Sequence, residues 1–259
     1  TMNLVELCLN ALCSLTRLKR FSYYRPVIPL ENSDRVVPTD NPRKIVSWNI
    51  QGLFLYTNGS KLPNLLREIR HFDADVICLQ EVFEDYLKYN LVHRLSDIYP
   101  YYLSGNLDKR YILGEDSGLL VLSKYPLQFQ KECILDDCSF PDTMSNKSIL
   151  YFRAGNRNFA TAHLQSSDIR GNTRVSVSQI QRIKTQSPFR NYLVCGDLNH
   201  PSAYHFLGCE CNNRCSTCDD ETLDYILPVG ELPTKLSLHV PEIDITGCSD
   251  HKPLIAEIQ

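Results

Sequence analysis

The fold is decided by two stretches of sequence, Ile45-Val-Ser-Trp-Asn-Ile50 and Val76-Ile-Cys-Leu-Gln-Glu81. Each has the short apolar run of a buried β-strand and ends in polar residues. Between them, apolar residues recur at the spacing that places them on one face of an amphipathic helix: Leu62, Leu65, Leu66, Ile69 and Phe72. The region therefore predicts a strand, a helix and a second strand.

The rest of the chain continues this alternation of strands with occasional helices. Residues 83–95 and 172–185 have the pattern of helices, the second with Ile180 and Ile183 on its apolar face. Because many strands alternate with few helices, and no internal repeat or second composition regime is visible, we predict one α/β domain with a large β core. Further strands are predicted at 119–122, 149–152, 159–163, 192–195, 222–227 and 253–258.

The first 43 residues precede this pattern and are predicted to form a separate arm. Residues 3–20 read as an amphipathic helix with a basic carboxyl end, either a docking helix on the domain surface or a membrane-surface anchor. Residues 24–43 contain four prolines and are expected to be extended. We therefore divide the chain into an arm at 1–43 and a folded domain at 44–259.

The composition of the chain excludes several classes of protein. Apolar residues make up 43% and charged residues 22% of the 259 residues, which excludes a disordered chain, a collagen and a coiled coil. The net charge of −3 excludes a protein that is basic as a whole, although a local patch can still bind nucleic acid. No uncharged apolar run reaches the roughly 18–20 residues of a membrane-spanning helix.

The N-terminal basic residues follow the apolar ones, whereas a secretory signal has the opposite order. We expect a monomer that is cytoplasmic or peripherally bound to a membrane, with secretion by a non-classical route left open.

Chemically useful side chains lie at the ends of the predicted strands. Six apolar runs end in groups that titrate or coordinate, and neighbouring strand ends can converge on a single cleft. The oxygen ligands among them favour Mg²⁺, Mn²⁺ or Ca²⁺ over zinc. A carboxylate-held Mg²⁺ beside histidines is suited to the attack of water on a phosphate ester. The set comprises Asn49, Glu81, His163, Asp197, Asn199, Asp224, Asp250 and His251.

Taken singly, these residues have simpler interpretations. Asn49 and Asn199 are of a type that commonly forms turns after strands. A lone histidine such as His163 is often a core residue, Asp224 can simply end a strand, and Asp250 can be a cap. Six such strand ends in one chain favour the functional interpretation.

Seven blocks of the chain carry a family resemblance, and they are 47–51 (SWNIQ), 79–82 (LQEV), 117–126 (SGLLVLSKYP), 161–165 (TAHLQ), 196–199 (GDLN), 222–226 (TLDYI) and 249–253 (SDHKP). In this order they resemble the endonuclease/exonuclease/phosphatase superfamily, the deoxyribonuclease-like metal phosphohydrolases. The likeness covers residues 44–259, about five-sixths of the chain. It implies a catalytic domain with a four-layered α/β/β/α sandwich, in which two mostly antiparallel sheets are flanked by helices.

The resemblance also implies a metal site and a position for the attacking water. Glu81 is expected to be the principal Mg²⁺ ligand, with Asn49 beside it, and Asp250 is expected to join the site. Asp197 is expected to orient or deprotonate the attacking water. Asn199 is expected to contact the phosphate.

Two histidines complete the implied site. His251, held by Asp224, is expected to face the scissile phosphate. His163 is expected to be a transition-state donor or general acid. Whether Asp197 or His251 is the general base stays open, because coupled groups share their titration.

The choice of substrate leans toward the neutral sphingomyelinase branch, which the blocks at 117–127, 163–165 and 222–226 resemble most. This implies hydrolysis of sphingomyelin to ceramide and phosphocholine, with the phospholipid substrate at a membrane surface. Residues 53–56 could form an apolar lip, and Tyr99, Tyr101 and Tyr102 could stack on the choline cation, although ordinary core packing is the alternative for both.

Other members of the superfamily act on other phosphate esters. A nuclease is the main alternative, and a phosphoinositide phosphatase or an inactive scaffold is a weaker one. A nuclease needs basic residues near the cleft. The candidates are Lys109, Arg110, Lys124, Arg153, Arg157, Arg170, Arg174, Arg182 and Lys184.

Four of the 11 cysteines are concentrated in one segment, at Cys209, Cys211, Cys215 and Cys218. Four thiolates can hold a structural Zn²⁺, but two regular CxxC pairs are missing. Two disulfides and free thiols in an inserted loop are the other interpretations.

Overall fold

The computed structural model describes residues 40–53, 58–105, 116–139, 142, 145–166, 173–210, 215–232 and 235–259. The predicted N-terminal helix and nearly all of the extended arm lie outside these residues, as do residues 54–56 of the predicted lip. In chain order the elements are β1 (Lys44–Gly52), α1 (Asn58–Phe72), β2 (Val76–Val82), α2 (Asp85–Arg94), β3 (Tyr101–Ser104), β4 (Leu120–Ser123), β5 (Leu127–Ile134), β6 (Ser148–Ala154), β7 (Arg157–His163), α3 (Arg174–Thr185), β8 (Tyr192–Asp197), α4 (Ala203–Leu207), β9 (Asp224–Val229), β10 (Leu236–His239) and β11 (Leu254–Ile258).

The first sheet has six strands in the order β10-β11-β1-β2-β4-β3. Only β1 and β2 run parallel, with α1 as their crossover, so their carboxyl ends meet at one edge of the sheet. Asn49 pairs in register with Gln80, which places it beside Glu81. β11 is antiparallel to β1, with Leu254 opposite Ser47, so the segment just before β11 reaches the same edge.

The second sheet has five strands in the order β5-β6-β7-β8-β9 and also contains one parallel pair, β7 and β8. In that pair His163 is in register with Asp197. In the antiparallel pair of β8 and β9, Asp197 is in register with Asp224. The register of this sheet therefore aligns three of the predicted site residues in one row.

The two sheets pack face to face, and helices cover their outer faces. Apolar side chains such as Val121, Phe152 and Phe159 fill the space between the sheets. The outer face of the first sheet packs on α1 and α2, for example through Leu65, while α3 and α4 cover the second sheet. Full burial of one such side chain contributes roughly 1.5–3 kcal/mol. The predicted four-layered sandwich is confirmed.

The sequence analysis did not predict three of the described strands, β3, β5 and β10. β5 has consecutive exposed residues on an outer strand, so neither an apolar run nor a regular alternation marks it. β3 carries two of the three tyrosines for which either choline stacking or ordinary core packing was considered. Tyr99 and Tyr102 are buried in the core under α1 and α2, which confirms core packing for both of them. No helix in the described ranges is long and apolar enough to cross a membrane.

Candidate active site

The carboxyl ends of β1 and β2 bring Asn49 and Glu81 into contact. The Asn49 side-chain amide donates hydrogen bonds from Nδ2 to Glu81 Oε1 at 3.0 Å and to Asp197 Oδ2 at 3.0 Å. Its oxygen, Oδ1, accepts the backbone N–H of Gln51 at 3.0 Å. The group that Asn49 presents to the two carboxylates is therefore a donor, and a metal contact through Oδ1 would require the amide to turn over. Its role as a ligand stays a prediction.

Glu81 has a strained backbone at this edge. Its φ is +57°, in the left-handed region that a glutamate rarely adopts. The next residue, Val82, donates its backbone N–H to the Gly118 carbonyl at 2.8 Å. A Cβ at Gly52 would lie 2.6 Å from the Glu81 carbonyl oxygen, so only glycine fits there. Strain of this kind persists because the surrounding structure holds the residue in place, and it is typical of functional sites.

His251 and Asp224 form a buried pair. His251 Nδ1 lies 2.7 Å from Asp224 Oδ2, and the Trp48 indole donates to the His251 carbonyl at 2.8 Å. Burial acts to lower the pKa of His251, but the hydrogen bond and charge of Asp224, with help from Asp197, outweigh it and raise the pKa to about 9. His251 is therefore an imidazolium at neutral pH, with Nε2 facing the site.

Asp197 lies at the centre of the site. Its Oδ2 is 3.7 Å from His163 Nε2 and 3.8 Å from His251 Nε2. Its Oδ1 accepts the backbone N–H of Asn199 at 3.0 Å, and the Asn199 side-chain amide donates to the Leu164 carbonyl at 3.0 Å. Burial, reinforced by the charge of Asp224, raises the pKa of Asp197 to about 7. Asp197 can therefore gain or lose a proton near neutral pH.

His163 is the uncharged histidine of the site. Burial, with the positive charges of Lys147 and His251, holds its pKa well below the ordinary value. Its Nε2 is 3.6 Å from Glu81 Oε1. The other ring nitrogen, Nδ1, is buried and has no hydrogen-bond partner among the described residues. A neutral imidazole suits a hydrogen-bond donor better than a strong acid.

Lys147 is a site residue that the sequence analysis missed. Its side chain is 1% exposed, donates to the Leu164 carbonyl at 2.8 Å and pairs with Asp142 at 2.9 Å. Gln165 is buried and donates to the same Asp142 carboxylate at 2.5 Å. Gln165 is thus a support for Asp142 in this structure. In sequence, Lys147 has no feature that separates it from a surface lysine before a strand.

Gln51 and Lys61 were also missed, and they lie between Asn49 and Asp250. Gln51 Nε2 donates to Asp250 Oδ2 at 2.7 Å, and Lys61 Nζ donates to Gln51 Oε1 at 3.0 Å. Asp250 is exposed and belongs to the rim of the site. Asp250 is linked to Asn49 through Gln51, whereas Glu81 is hydrogen-bonded to Asn49 directly.

The donor set fits a hard divalent cation. Burial raises the pKa of Glu81, and the nearby Asp250 adds to the effect, so a cation bound at Glu81 would replace the stabilisation that its carboxylate loses from water. One alternative set, Asp197, Asp224 and His251, offers ligand atoms within 4.8 Å of one another. We favour Glu81, because Asp224 and His251 already use the facing atoms in their own hydrogen bond. Oxygen donors of this kind suit Mg²⁺ or Mn²⁺.

The cysteine-rich segment adjoins the site at one end only. Cys218 forms a β-bridge to His251, and the thiol of Cys218 has a raised pKa of about 12, mainly because it is buried. Cys209 instead donates to the Pro228 carbonyl near the far end of β9. Cys215 is exposed, and Cys211 lies outside the described residues. A zinc or disulfide cluster of all four stays a prediction, and the placement of Cys209 away from Cys218 disfavours it.

Comparison with known proteins identifies relatives of the whole domain. A model of the Endonuclease/Exonuclease/phosphatase family matches residues 46–251. A beta toxin of Staphylococcus aureus, crystallised with bound magnesium ions, has a TM-score of 0.69 and 18% identity, covering 84% of this chain and 100% of that one. Sphingomyelinase C from Streptomyces griseocarneus gives 0.64 and 22%, covering 85% and 100%. Truncated TDP2 from Caenorhabditis elegans gives 0.58 and 19%, covering 83% and 96%.

These identities show a shared fold. Among curated proteins, the chain is 69% identical over 26 residues to protein angel homolog 2 of Homo sapiens. That match spans 10% of this chain and 5% of the length of the relative.

Proposed function

The chain belongs to the Endonuclease/Exonuclease/phosphatase family, and from this premise we propose that it is a divalent-metal-dependent phosphodiesterase that hydrolyses sphingomyelin to ceramide and phosphocholine. Members of the family are hydrolases that act on phosphodiester bonds. The observation that carries the proposal is the placement of Asp197 between Asn49, His163 and His251, beside Glu81. This is one compact set of a base, two imidazoles and a carboxylate for a metal.

The charges of the site favour Asp197 over His251 as the general base. His251 already carries a proton at neutral pH, so Asp197 is the group that accepts the proton of the attacking water. The water oxygen bonds to phosphorus while the bond from phosphorus to the ceramide oxygen breaks. The ceramide alkoxide takes a proton from solvent, and Asp197 releases its own to solvent, which completes the cycle.

The imidazoles stabilise the charge that develops on the phosphoryl oxygens. His251, held by Asp224, offers a positively charged N–H, and His163 offers a neutral one. A cation bound at Glu81 would supply Lewis acidity to the phosphoryl oxygen and the departing alkoxide. A relative of the same fold was crystallised with magnesium ions, which supports Mg²⁺ as that cation.

A membrane substrate is supported by exposed tyrosines on α2. α2 begins four residues after Glu81, and its outer face exposes Tyr86 (56%) and Tyr89 (51%). The Tyr89 and His93 rings are 4.1 Å apart and tilted, and Arg94 is exposed on the same helix. Exposed tyrosines and an arginine are typical of surfaces that meet lipid headgroups. The fold shared with a sphingomyelinase C supports the same choice of substrate.

A nuclease is the second candidate, because the family includes endonucleases and exonucleases. It is less well supported, because several of its basic candidates are engaged locally. Lys124 pairs with Asp73, and Arg182 pairs with Asp136. Arg157 donates to the Pro42 carbonyl at 2.8 Å. Cations held in such contacts do not form a continuous groove for a nucleic-acid backbone.

One substrate panel tests the proposal. Sphingomyelin in detergent micelles, duplex DNA and a phosphoinositide are each incubated with the protein, with Mg²⁺ and with chelator. We expect Mg²⁺-dependent release of phosphocholine that falls at least about 10²-fold in Glu81→Gln and Asp197→Asn and is kept in Asp97→Asn, whose carboxylate pairs with Arg70 at the surface. DNA cleavage without phosphocholine release would refute the substrate. Full activity in Glu81→Gln would refute the site.

The membrane surface is tested separately by flotation with phosphatidylcholine and sphingomyelin vesicles. Tyr86→Ser with Tyr89→Ser should reduce vesicle binding, while hydrolysis of a water-soluble short-chain substrate stays unchanged. Phe129→Ser is the matched control, since Phe129 is an exposed aromatic residue on the outer strand β5 of the second sheet. Equal loss of binding in the control would contradict a specific role for α2.

A further inference from the structure

Gln51 lies at the junction of three segments of the site. Its backbone N–H donates to Asn49 Oδ1 at 3.0 Å, and its side-chain Nε2 donates to Asp250 Oδ2 at 2.7 Å. Lys61, from α1, donates to the Gln51 carbonyl at 2.9 Å and to its Oε1 at 3.0 Å. Every polar group of Gln51 is thus engaged, and its partners come from β1, α1 and the segment before β11.

The contact to Asn49 selects one orientation of the Asn49 amide. The two orientations of an asparagine side chain differ only in the exchange of oxygen and nitrogen. Because the Gln51 N–H requires an acceptor, Oδ1 must face it and Nδ2 must face Glu81 and Asp197. Without this donor the amide could turn over and place a carbonyl oxygen against two carboxylates. The Gln51 N–H therefore keeps Asn49 Nδ2 hydrogen-bonded to the carboxylates of both Glu81 and Asp197.

The contacts from Lys61 hold Gln51 in an unfavourable conformation. Gln51 has a φ of +47°, which is uncommon for a residue with a long side chain. Lys61 binds both the main chain and the side chain of Gln51, so both are fixed in this conformation. The lysine is itself 8% exposed, which leaves little room for its ammonium group to move.

We infer that Gln51, held by Lys61, is a positioning residue that sets the Asn49 amide against Glu81 and Asp197 and holds Asp250 at the rim of the site. The inference rests on the proposed function insofar as Glu81 holds a divalent cation. Gln51 acts through Asn49 and Asp250 and requires no contact of its own with the substrate. Removal of a residue that supports metal-binding groups typically weakens metal affinity about 10–100-fold.

The chain contains a matched control for Lys61. Lys124 donates in the same manner to the carbonyl and the side-chain Oδ1 of one residue, Asp73, at 3.0 and 2.6 Å. Asp73 also has a positive φ, of +45°. Asp73 precedes β2 and Lys124 follows β4, at the ends of these paired strands away from Glu81. Lys124→Met therefore removes an equivalent backbone support without touching the site.

Mn²⁺ binding to the full chain, measured by isothermal titration without substrate, is the test. Gln51→Met keeps the main-chain N–H but loses the side-chain contacts to Lys61 and Asp250 that hold it in place, and Lys61→Met loses both contacts to Gln51. We expect each variant to weaken Mn²⁺ binding about 10–100-fold, and the double variant to bind no more weakly than the weaker single variant. Lys124→Met should bind Mn²⁺ as the unmodified protein does. Thermal unfolding without metal is recorded for every variant. A positioning role predicts that Gln51→Met loses Mn²⁺ affinity while its unfolding midpoint stays unchanged.

Two results would overturn the inference. One is Mn²⁺ affinity within threefold of the unmodified protein in folded Gln51→Met, whatever Lys61→Met does. The other is a double variant whose loss is the product of the single losses, because independent effects multiply and effects along one chain of contacts do not. The titration contains no sphingomyelin, so failure of the substrate proposal would leave its result unaffected.

Discussion

Replacing Asp224 by asparagine removes the charge that keeps His251 protonated. The two groups are 2.7 Å apart, and Asp224 is 0% exposed, so solvent screens their interaction little. The pKa of about 9, against an ordinary 6.5, corresponds to about 3 kcal/mol of preference for the imidazolium. In Asp224→Asn, burial still lowers the pKa of His251, but the charge of Asp224 no longer raises it. We therefore expect the pKa of His251 to fall to 6.5 or below.

The same change alters the pH dependence of stability. The folded pKa of His251 lies above the unfolded value, so its contribution is complete below about pH 6.5 and is lost as pH rises through about 9. Asp224→Asn should therefore be less stable than the unmodified protein by about 3 kcal/mol near pH 6, with a smaller difference near pH 10. Activity at pH 7 should fall roughly 10²–10⁴-fold, because a neutral, misoriented imidazole replaces a positive donor.

Two measurements check this prediction. The pKa of His251 is read from the NMR titration of its imidazole protons without metal, and stability is read from urea unfolding at pH 6 and pH 10. Asp97→Asn, which breaks a surface ion pair, should change neither quantity by more than a small amount. A His251 pKa that stays near 9 in Asp224→Asn would refute the assignment of Asp224 as its source.

Other perturbations have equally definite expectations. Asp197→Asn should remove the acidic limb of the pH–activity profile. In the unmodified protein this limb reflects the pKa of Asp197, which is about 7 and falls when a cation binds. An unchanged limb would exclude Asp197 as the general base. Lys147→Met should raise the pKa of His163, seen in the same NMR titration, because it deletes a nearby positive charge; a fall would contradict the placement of Lys147. Gly118→Ala should lower the free energy of unfolding in urea by about 1–3 kcal/mol. Gly118 has a φ of +67°, and a Cβ there would lie 2.6 Å from the Phe83 ring. An unchanged midpoint would show that the ring moves freely.

Much of the site was predictable because strand ends carry its residues. Asn49, Glu81, His163, Asp197, Asn199, Asp224 and His251 follow apolar runs, and the topology of parallel and antiparallel neighbours brings them to one edge. Lys61 and Lys147 could not be predicted, because a lysine on a helix or before a strand normally faces solvent. Their function depends on burial, which packing against other segments determines.

The sequence by itself indicated the four-layered fold, the family and most of the residues that the structure brings together at the strand ends. Local periodicity sets strands and helices, and the order of short motifs is a property of the chain alone. The tertiary structure decided which atom of Asn49 faces the carboxylates, which histidine carries a proton and how Gln51 is held. These properties depend on desolvation and on contacts between residues far apart in the chain, such as the 148 positions between Asn49 and Asp197.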